Sequence, residues 1–388
     1  MISVAQALSN VFDLITPLEA EAVPLRQAAG RVLIEPVKAA RNQPPFRASV
    51  MDGYAVRNVD LPGPLSVIGE AAAGHSFDGQ IAPGQALRIF TGAPVPKGAD
   101  RVIIQEDVTR EGDVIRLNDG ADTKPYVRAI GADFKIGDTL DAPRRLSSAD
   151  VALIASMNVA EVRVARRPRV ALLATGDELV MPGEAPAPDQ IIASNTFGLA
   201  AMIEAEGGIA QVLPIARDRE DSLLAALSLT KGSDLLVTIG GASVGDHDLV
   251  GKVALSKGME RSFYKVAMRP GKPLMAGMLD AMPMVGLPGN PVSSMVCGHV
   301  FLRPALRALQ GLPAAALEQK NVPLAAPIGK NGPREHYMRA SLMNDEITAA
   351  DRQDSALMSV LTTANALIVR PPNDPPRDTG DLVSFIEL

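Results

Sequence analysis

The hydrophobic positions near the N-terminus recur with the spacing of an amphipathic helix, which we predict over residues 4–15. Between residues 43 and 137 the pattern changes to short apolar runs interrupted by glycine and proline, a texture typical of a β-rich region. Helix-like spacing returns over residues 147–155. We therefore expect a helical domain in two pieces, 1–42 and 138–167, with a β-rich domain, 43–137, inserted between them.

From residue 168 to residue 312, strand-like and helix-like segments alternate, which indicates a parallel-sheet α/β domain. The pattern predicts strands at 170–174, 210–213, 235–239 and 284–287, and helices at 195–206 and 221–230. Ser194 and Asn195 are candidate caps for the first of these helices, and Gly207 and Gly208 can end it.

Residues 313–388 return to short strands, including 336–342 and 382–386, so we expect a small C-terminal β barrel or sandwich. The predicted fold class is an α/β multidomain protein. Its central parallel-sheet domain is accompanied by the inserted β domain, the split helical domain and the C-terminal barrel.

The composition narrows the function classes. Net charge is −6 and aromatic residues make up 3% of the chain without any Trp, which argues against broad nucleic-acid or membrane-surface binding. The single cysteine, Cys297, cannot form an internal disulfide, and residues 281–302 contain prolines that would break a membrane span. The N-terminus lacks the features of a secretory signal. We expect a soluble cytoplasmic protein that handles small molecules.

A glycine-rich run, LLVTIGGASVGDHD at 235–248, follows a predicted buried strand. Open α/β sheets bind ligands at such strand ends. Three glycines can turn backbone N–H groups towards phosphate oxygens, namely Gly240, Gly241 and Gly245. Asp246 and Asp248 could hold a divalent cation there. A tight turn with solvated carboxylates explains the run equally well.

The same run contains GxSxG through Gly241, Ser243 and Gly245, a pattern shared with the nucleophile elbow of serine hydrolases. His247 is too close in sequence to Ser243 to act as a distant general base, and the DHD that follows is unlike the start of a helix. A serine hydrolase is therefore the less favoured alternative.

Two later segments offer anion sites. In FYKVAMRPGKP, three cations can contact a phosphate or another oxyanion, although a solvated basic edge is the simpler interpretation: Lys265, Arg269 and Lys272. In MVGLPGNPVSS, a strand leads through Pro288 to Asn290 as helix cap and Pro291 as first helical residue, with Ser293 in the first turn. Such a helix start can bind an anion, but it also fits an ordinary strand-to-helix turn.

Carboxylates and hydroxyls follow other strands. Thr175, Gly176 and Glu178 come directly after the strand at 170–174, and Asp218 precedes a predicted helix. Exposed turns and solvated charges would explain them as well. In the β insertion, Asp52 and Thr91 stand in apolar surroundings, and turn residues are the simple explanation.

Taken together, six runs resemble the molybdopterin molybdenumtransferase family, which includes the E domains of gephyrin and its plant counterpart. The runs occur in the family's order: PPFRASVMDGYAV, TGAPVPKGAD, TGDEL, GGASVGDHD, RPGKP and GLPGNPVS. The GGxSxG module is shared with molybdopterin adenylyltransferase. The segments of Asp52 and Thr91 instead resemble the molybdenumtransferase, the enzyme that inserts molybdate (the insertase).

The resemblance implies a reaction in which adenylylated molybdopterin and molybdate give the molybdenum cofactor and AMP. It also implies a molybdopterin-binding α/β domain and an elongated homodimer, with Asp52 and Thr91 reaching the cleft of the other chain. Contacts with molybdopterin adenylyltransferase and with acceptor molybdoenzymes are implied as well. Whether tungstate replaces molybdate stays open.

The family's site residues fall on positions of this chain. Asp218 and Asp248, with Asp246 nearby, would hold Mg²⁺, while Glu178 would bind the pterin. The remaining cofactor-binding positions are Thr175, Gly176, Gly240, Gly241, Ser243, Gly245, Pro288 and Asn290. The oxyanion site would use Lys272, Ser293, Arg339 and Ser359. The catalytic positions are Asp52, Thr91, Asp133, Glu178, Lys265 and Arg269.

This chain departs from the family at two places. Arg269 stands where the resembled bacterial enzyme has lysine, and RQDSALMSVLTTAN around Ser359 lacks the expected GSG or GSH. A non-catalytic scaffold of the same fold is a third interpretation, beside the insertase and the hydrolase.

Overall fold

The computed structural model describes residues 1–241 and 249–388. Within them the chain forms two compact units. Unit 1 comprises Met1–Glu21, Gly30–Val32 and Ala165–Leu388, and unit 2 comprises Ala22–Ala29 and Leu33–Val164. None of the described helices has both the length and the apolar character needed to cross a membrane.

The α-helices in the described residues are α1 (Val4–Asp13), α2 (Ser148–Ser156), α3 (Ser194–Ala205), α4 (Glu220–Ser228), α5 (Leu249–Ser256), α6 (Pro291–Cys297), α7 (Arg303–Leu309) and α8 (Met358–Thr362). A π-helical segment, Gly298–Leu302, joins α6 to α7.

The strands of the first half are β1 (Ala20–Pro24), β2 (Val32–Leu33), β3 (Val37–Lys38), β4 (Ala48–Ser49), β5 (Gly53–Val56), β6 (Leu65–Ala71), β7 (Gln85–Ile89), β8 (Arg101–Ile104), β9 (Val108–Glu111), β10 (Val114–Leu117), β11 (Val127–Arg128), β12 (Thr139–Leu140), β13 (Arg144–Arg145) and β14 (Glu161–Ala165). Those of the second half are β15 (Arg169–Ala174), β16 (Leu179–Val180), β17 (Ile191–Ile192), β18 (Ile209–Val212), β19 (Leu235–Ile239), β20 (Glu260–Tyr264), β21 (Met268–Arg269), β22 (Met275–Leu279), β23 (Met282–Leu287), β24 (Lys320–Pro323), β25 (Glu335–Met343), β26 (Glu346–Ala349), β27 (Ala366–Arg370) and β28 (Leu382–Glu387).

Unit 1 contains a six-stranded sheet of order β18-β15-β19-β23-β22-β20. Its first four strands are parallel, and β22 and β20 add antiparallel partners. Residues of β15 alternate between two cores: Leu172 packs in the cluster that contains α1 and α3 residues, and Leu173 in the cluster with α4 and α5 residues. All of β19 is buried because both faces of the sheet are covered. The parallel α/β sheet predicted from the sequence is confirmed.

The predicted helix starts are partly corrected. Ser3 caps α1 in a reciprocal capping box with Gln6, and the apolar face of this helix packs into the core of the α/β sheet. Gly207, at φ +87°, ends α3 as predicted. The expected cap at the start of α3 is wrong, since Ala193 occupies that position and no side chain caps the helix. Asn195 is used elsewhere, in a tertiary hydrogen bond.

The C-terminal strands form a sheet of order β21-β25-β27-β28-β24, with β26 paired to β25. A bridge between Leu324 and Ile347 joins the end of β24 to β26 and closes the sheet into a small barrel. Leu324, Ile347 and Ile368 lie in its core. The predicted C-terminal β barrel is therefore present.

Unit 2 is β-rich. It contains a six-stranded sheet of order β8-β5-β7-β6-β10-β9, and β5 pairs with both β7 and β8. Two small clusters, one around Leu87 and Ile89 and one around Tyr54 and Ile103, form its core. Two short two-stranded sheets, β11-β4 and β12-β3, also lie in this unit, and the chain has a further four-stranded sheet of order β1-β14-β2-β13. The domain boundaries given by the sequence stay predictions.

Candidate active site

A cavity of about 450 Å³ lies in unit 1, where β15, β19 and β23 end. Parallel α/β sheets bind ligands at this edge, because the loops there leave a crevice. The cavity is lined by residues of three strand ends and of two helix starts: Ala174, Thr175, Gly176, Glu178, Leu179, Ile191, Ile192, Ala193, Ser194, Asn195, Thr196, Asp218, Ile239, Gly240, Gly241, Pro273, Pro288, Gly289, Asn290 and Pro291. We call it the strand-end pocket.

Backbone hydrogen bonds continue past the strands into this pocket. Thr175 N–H donates to the carbonyl of Ile239 at 3.0 Å, and Gly240 N–H donates to the carbonyl of Leu287 at 3.1 Å. Gly240 has φ +88°, and a Cβ built on it would lie 2.8 Å from the carbonyl oxygen of Thr175. Glycine is therefore required here for both the left-handed conformation and the close approach of two chain segments.

Arg217 organises the loop after β15, and the sequence alone did not reveal it. Its Nη1 donates to the carbonyls of Asp177 at 2.9 Å and Leu179 at 3.1 Å. The neighbouring Asp218 N–H donates to Asp177 Oδ1 at 3.2 Å. These contacts join segments about forty residues apart and bring Asp218 into the pocket lining with Glu178.

Glu178 lies directly against the backbone of this loop. A Cβ built on Gly176 would be 2.3 Å from Glu178 Oε2, and Gly176 has φ +148°, a conformation that favours glycine. Glu178 is exposed, and within the described part of the chain its carboxylate has no hydrogen-bonding or ion-pair partner. Its oxygens are free to accept hydrogen bonds from a bound molecule.

The start of α6 closes another side of the pocket. Asn290 occupies the cap position and Pro291 the first helical position, as predicted, but the Asn290 side chain makes no capping hydrogen bond to the helix. Ser293 is buried in the first turn. Ser355, which sequence reasoning missed, contacts this helix start twice: Asn290 Nδ2 donates to Ser355 Oγ at 3.2 Å, and Val292 N–H donates to the Ser355 carbonyl at 3.0 Å.

Arg339 holds the loop that carries Ser355. It is 1% exposed on β25, and its Nη1 and Nη2 donate at 3.1 Å to the carbonyls of Leu357 and Arg352. Burial lowers the pKa of this guanidinium. Ser359, four residues beyond Ser355, is exposed on α8, and neither serine belongs to the described pocket lining.

The three cations in and before RPGKP each have different surroundings. Lys265 has φ +74° and its Nζ lies 5.0 Å from the centre of the Tyr264 ring. Arg269 pairs in register with His336 across β21 and β25. Lys272 is exposed and precedes Pro273, which lines the strand-end pocket.

The side chain of His336 lies near several arginines, whose positive charges act on its ring. The pKa of His336 is lowered to about 4, mainly by burial and in addition by the positive charge of Arg269. The ring is therefore neutral at pH 7.

In unit 2, Asp52 and Thr91 form a local pair at neighbouring ends of β5 and β7. Thr91 N–H and Thr91 Oγ1 both donate to Asp52 Oδ1 at 2.7 Å. These two bonds hold the pKa of Asp52 below its usual range, and the charge of Arg88 assists. Arg88 itself lies 4.7 Å from the centre of the Phe90 ring. The sequence suggested both polar residues, but not their contact.

The remaining predicted site residues are separate or undescribed. Asp133 is exposed in unit 2, and its N–H donates to the carbonyl of Gln43 at 2.9 Å. Ser243, Gly245, Asp246 and Asp248 lie outside the described residues, as does His247, so the hydrolase motif has no structural description. Among described residues no group of three or more His, Cys, Asp or Glu is placed to hold a metal ion.

The fold and pocket define an α/β ligand-binding protein whose site lies at the carboxyl ends of parallel strands. Three family models match the chain: "MoeA N-terminal region (domain I and II)" over residues 2–158, "Probable molybdopterin binding domain" over 171–308, and "MoeA C-terminal region (domain IV)" over 321–388.

Relatives match most or all of the chain. A molybdopterin molybdenumtransferase of Nostoc sp. is 34% identical, covering 100% of this chain and 94% of the relative. The Haemophilus influenzae protein of the same name is 37% identical over 80% of this chain and 78% of its own length. The crystal structure of a molybdopterin biosynthesis moeA protein from Pyrococcus horikoshii OT3 is similar, with a TM-score of 0.86, 25% identity and full coverage of both chains. The chain belongs to the molybdopterin molybdenumtransferase family, a family of transferases.

Proposed function

We propose that this chain inserts molybdate into adenylylated molybdopterin and releases AMP, completing the molybdenum cofactor in the cytoplasm. The strand-end pocket carries this proposal. Gly240 allows the close approach of two backbone segments there, Glu178 offers a carboxylate without a partner in the described chain, and the start of α6 lines one side.

We assign Asp218 to a magnesium site. Its carboxylate is exposed at the pocket, and its backbone is held by Asp177, so an oxygen ligand stands ready for a hard cation. Asp248, and Asp246 beside it, would supply further oxygens and lie outside the described residues. When bound, the ion would neutralise phosphate charge during cleavage of the phosphoanhydride.

The direct test is AMP release from purified protein supplied with adenylylated molybdopterin, Mg²⁺ and molybdate. We expect AMP production to depend on molybdate and to fall at least tenfold in Asp218→Asn. Asp221→Asn is the matched control, since Asp221 is also exposed but lies outside the pocket lining. Molybdate-independent AMP release, or equal effects of the two variants, would contradict the proposal.

The oxyanion site would combine Lys272, Ser293 and Ser355 around the start of α6. Ser355 is chosen over Ser359 because its hydroxyl and carbonyl both contact this helix start. Arg339 would act by holding the loop of Ser355. Ser355→Ala should raise the KM for molybdate more than Ser359→Ala does, with little change in the KM for adenylylated molybdopterin. The reverse order would return the role to Ser359.

We further propose a homodimer in which Asp52 and Thr91 of the partner subunit complete the pocket, with Lys265, Arg269 and Asp133 as additional catalytic groups. Mixing Asp52→Ala chains with Asp218→Asn chains tests this arrangement. If each site uses both chains, mixed dimers regain one intact site, and the pool recovers about a quarter of wild-type activity. No recovery in dimers verified as mixed would refute it.

The substrate and product also define the partners that this function needs. Molybdopterin adenylyltransferase would supply the adenylylated substrate, and acceptor molybdoenzymes would receive the finished cofactor. Co-purification of either with this chain, strengthened by adenylylated molybdopterin, is the expected result.

A further inference from the structure

Asn195, at the start of α3, has a hydrogen-bonding atom that the protein leaves unused. Its Nδ2 donates to the carbonyl of Gly289 at 2.7 Å. A carbonyl can only accept, so this bond fixes which way the amide is turned. Asn195 Oδ1 is buried and accepts no hydrogen bond from the described residues. A buried acceptor without a donor is costly, which indicates that a bound molecule supplies the donor.

The pocket around Asn195 is rich in acceptors. Glu178 contributes a free carboxylate, and the buried Thr175 Oγ1 also has no partner within the described chain. None of the described residues lining the pocket is Lys, Arg or His. The side chains that line this pocket therefore favour a ligand edge that presents N–H groups.

The proposed substrate contains a pterin and an adenine, and these two rings present different hydrogen-bonding groups at their edges. The 2-amino-4-oxo edge of a pterin presents adjacent N–H donors, from its 2-amino group and its ring N3. The corresponding edge of adenine pairs one amino group with a ring nitrogen that accepts. Two acceptors, Glu178 and Asn195, therefore complement the pterin.

We propose that Asn195 Oδ1 accepts a hydrogen bond from the 2-amino group of the pterin and, with Glu178, selects 2-aminopterins. The choice of a pterin rests on the proposed function. Nδ2 of the same amide keeps the start of α3 joined to Gly289, so one side chain both holds the pocket wall and reads the ligand.

The test compares two fluorescent ligands that differ at one group. Pterin-6-carboxylate carries the 2-amino group, and lumazine-6-carboxylate carries an oxygen there. Wild-type protein should bind the pterin roughly three- to tenfold more tightly, the range expected for one hydrogen bond. In Asn195→Ala this preference should fall towards one. If Asn195 only supports the fold, both ligands weaken equally and the preference persists, which overturns the proposal.

A second variant guards against a simple folding defect. Asn195→Asp keeps an acceptor oxygen but loses the donor to Gly289, so both affinities should fall while the preference for pterin survives. Gln211→Ala, an exposed position on β18 outside the pocket lining, should change neither value. Wild-type protein that shows no pterin preference would also overturn the proposal. Because these titrations contain no molybdate, they separate this inference from the proposed reaction: a pterin preference without AMP release would refute only the latter.

Discussion

Replacing Gly240 by alanine tests whether the strand-end pocket depends on the close approach of two chain segments. The substitution adds a single carbon at φ +88°, 2.8 Å from the carbonyl oxygen of Thr175. That oxygen belongs to the backbone and cannot rotate away. The Thr175 N–H is bonded to Ile239, so moving this segment strains the parallel pairing of β15 with β19.

The expected loss of stability has two parts. The left-handed conformation costs an L-residue roughly 1–2 kcal/mol, and about 0.4–1 kcal/mol of this is offset because alanine restricts the unfolded chain. The collision adds roughly 1–3 kcal/mol, as overpacking does elsewhere. Gly240→Ala should therefore lower the free energy of unfolding by about 1–5 kcal/mol in total.

The matched control is Gly232→Ala. Gly232 lies just before β19 at φ +86°, and a Cβ built there has no heavy atom within 4 Å. It carries the conformational cost alone, so urea unfolding of the two variants should differ by about 1–3 kcal/mol. Affinity for pterin-6-carboxylate should fall in Gly240→Ala and stay unchanged in Gly232→Ala. Equal unfolding free energies would show that the contact with Thr175 relaxes without cost and would refute this reasoning.

Two further predictions concern charged groups outside the pocket. Burial raises the pKa of Glu206, but hydrogen bonds from Arg307 and Arg303 outweigh it, so the folded pKa lies below the usual 4.5. Glu206→Gln should then cost about 3 kcal/mol in urea unfolding at neutral pH, and the difference from wild type should shrink as the pH falls below the ordinary pKa and through the lowered folded pKa; a pH-independent difference would contradict the ion-pair explanation. Thr91→Val removes one of two donors to Asp52 and should raise the pKa of that carboxyl, measured by carbon-13 NMR titration; an unchanged pKa would mean that the backbone N–H alone sets it.

The strands of the α/β sheet could be predicted because a strand that is buried on both faces is a continuous run of apolar residues. The run LLVTI of β19 is buried throughout, and its predicted bounds agree with the observed strand. The start of α6 at Pro291 could be predicted in the same way, since proline favours the first position of a helix. Local chemistry of this kind needs no knowledge of distant segments.

What the sequence could not disclose are side chains whose partners are far away along the chain. Asn195 is of a residue type that often caps helices, yet its side-chain amide donates a hydrogen bond to Gly289, 94 residues later. Arg217 stands in a charged run that indicates only solvent exposure, whereas its guanidinium binds carbonyls of the loop after β15. No periodicity marks either contact, because tertiary hydrogen bonds leave no spacing rule in a single sequence.

Arg339 illustrates why a residue type alone is an incomplete guide to an anion site. Nη1 and Nη2 of its guanidinium each donate to a backbone carbonyl, so part of its donor capacity is used before any oxyanion arrives. The same bonds hold the loop of Ser355 against the start of α6. The buried Arg339 would therefore act on the pocket indirectly, by positioning the Ser355 hydroxyl that contacts Asn290. The barrel is thus part of the proposed oxyanion site: it supplies the buried side chain that keeps the loop of Ser355 in place, while β19 and β23 supply the backbone against which the ligand would rest.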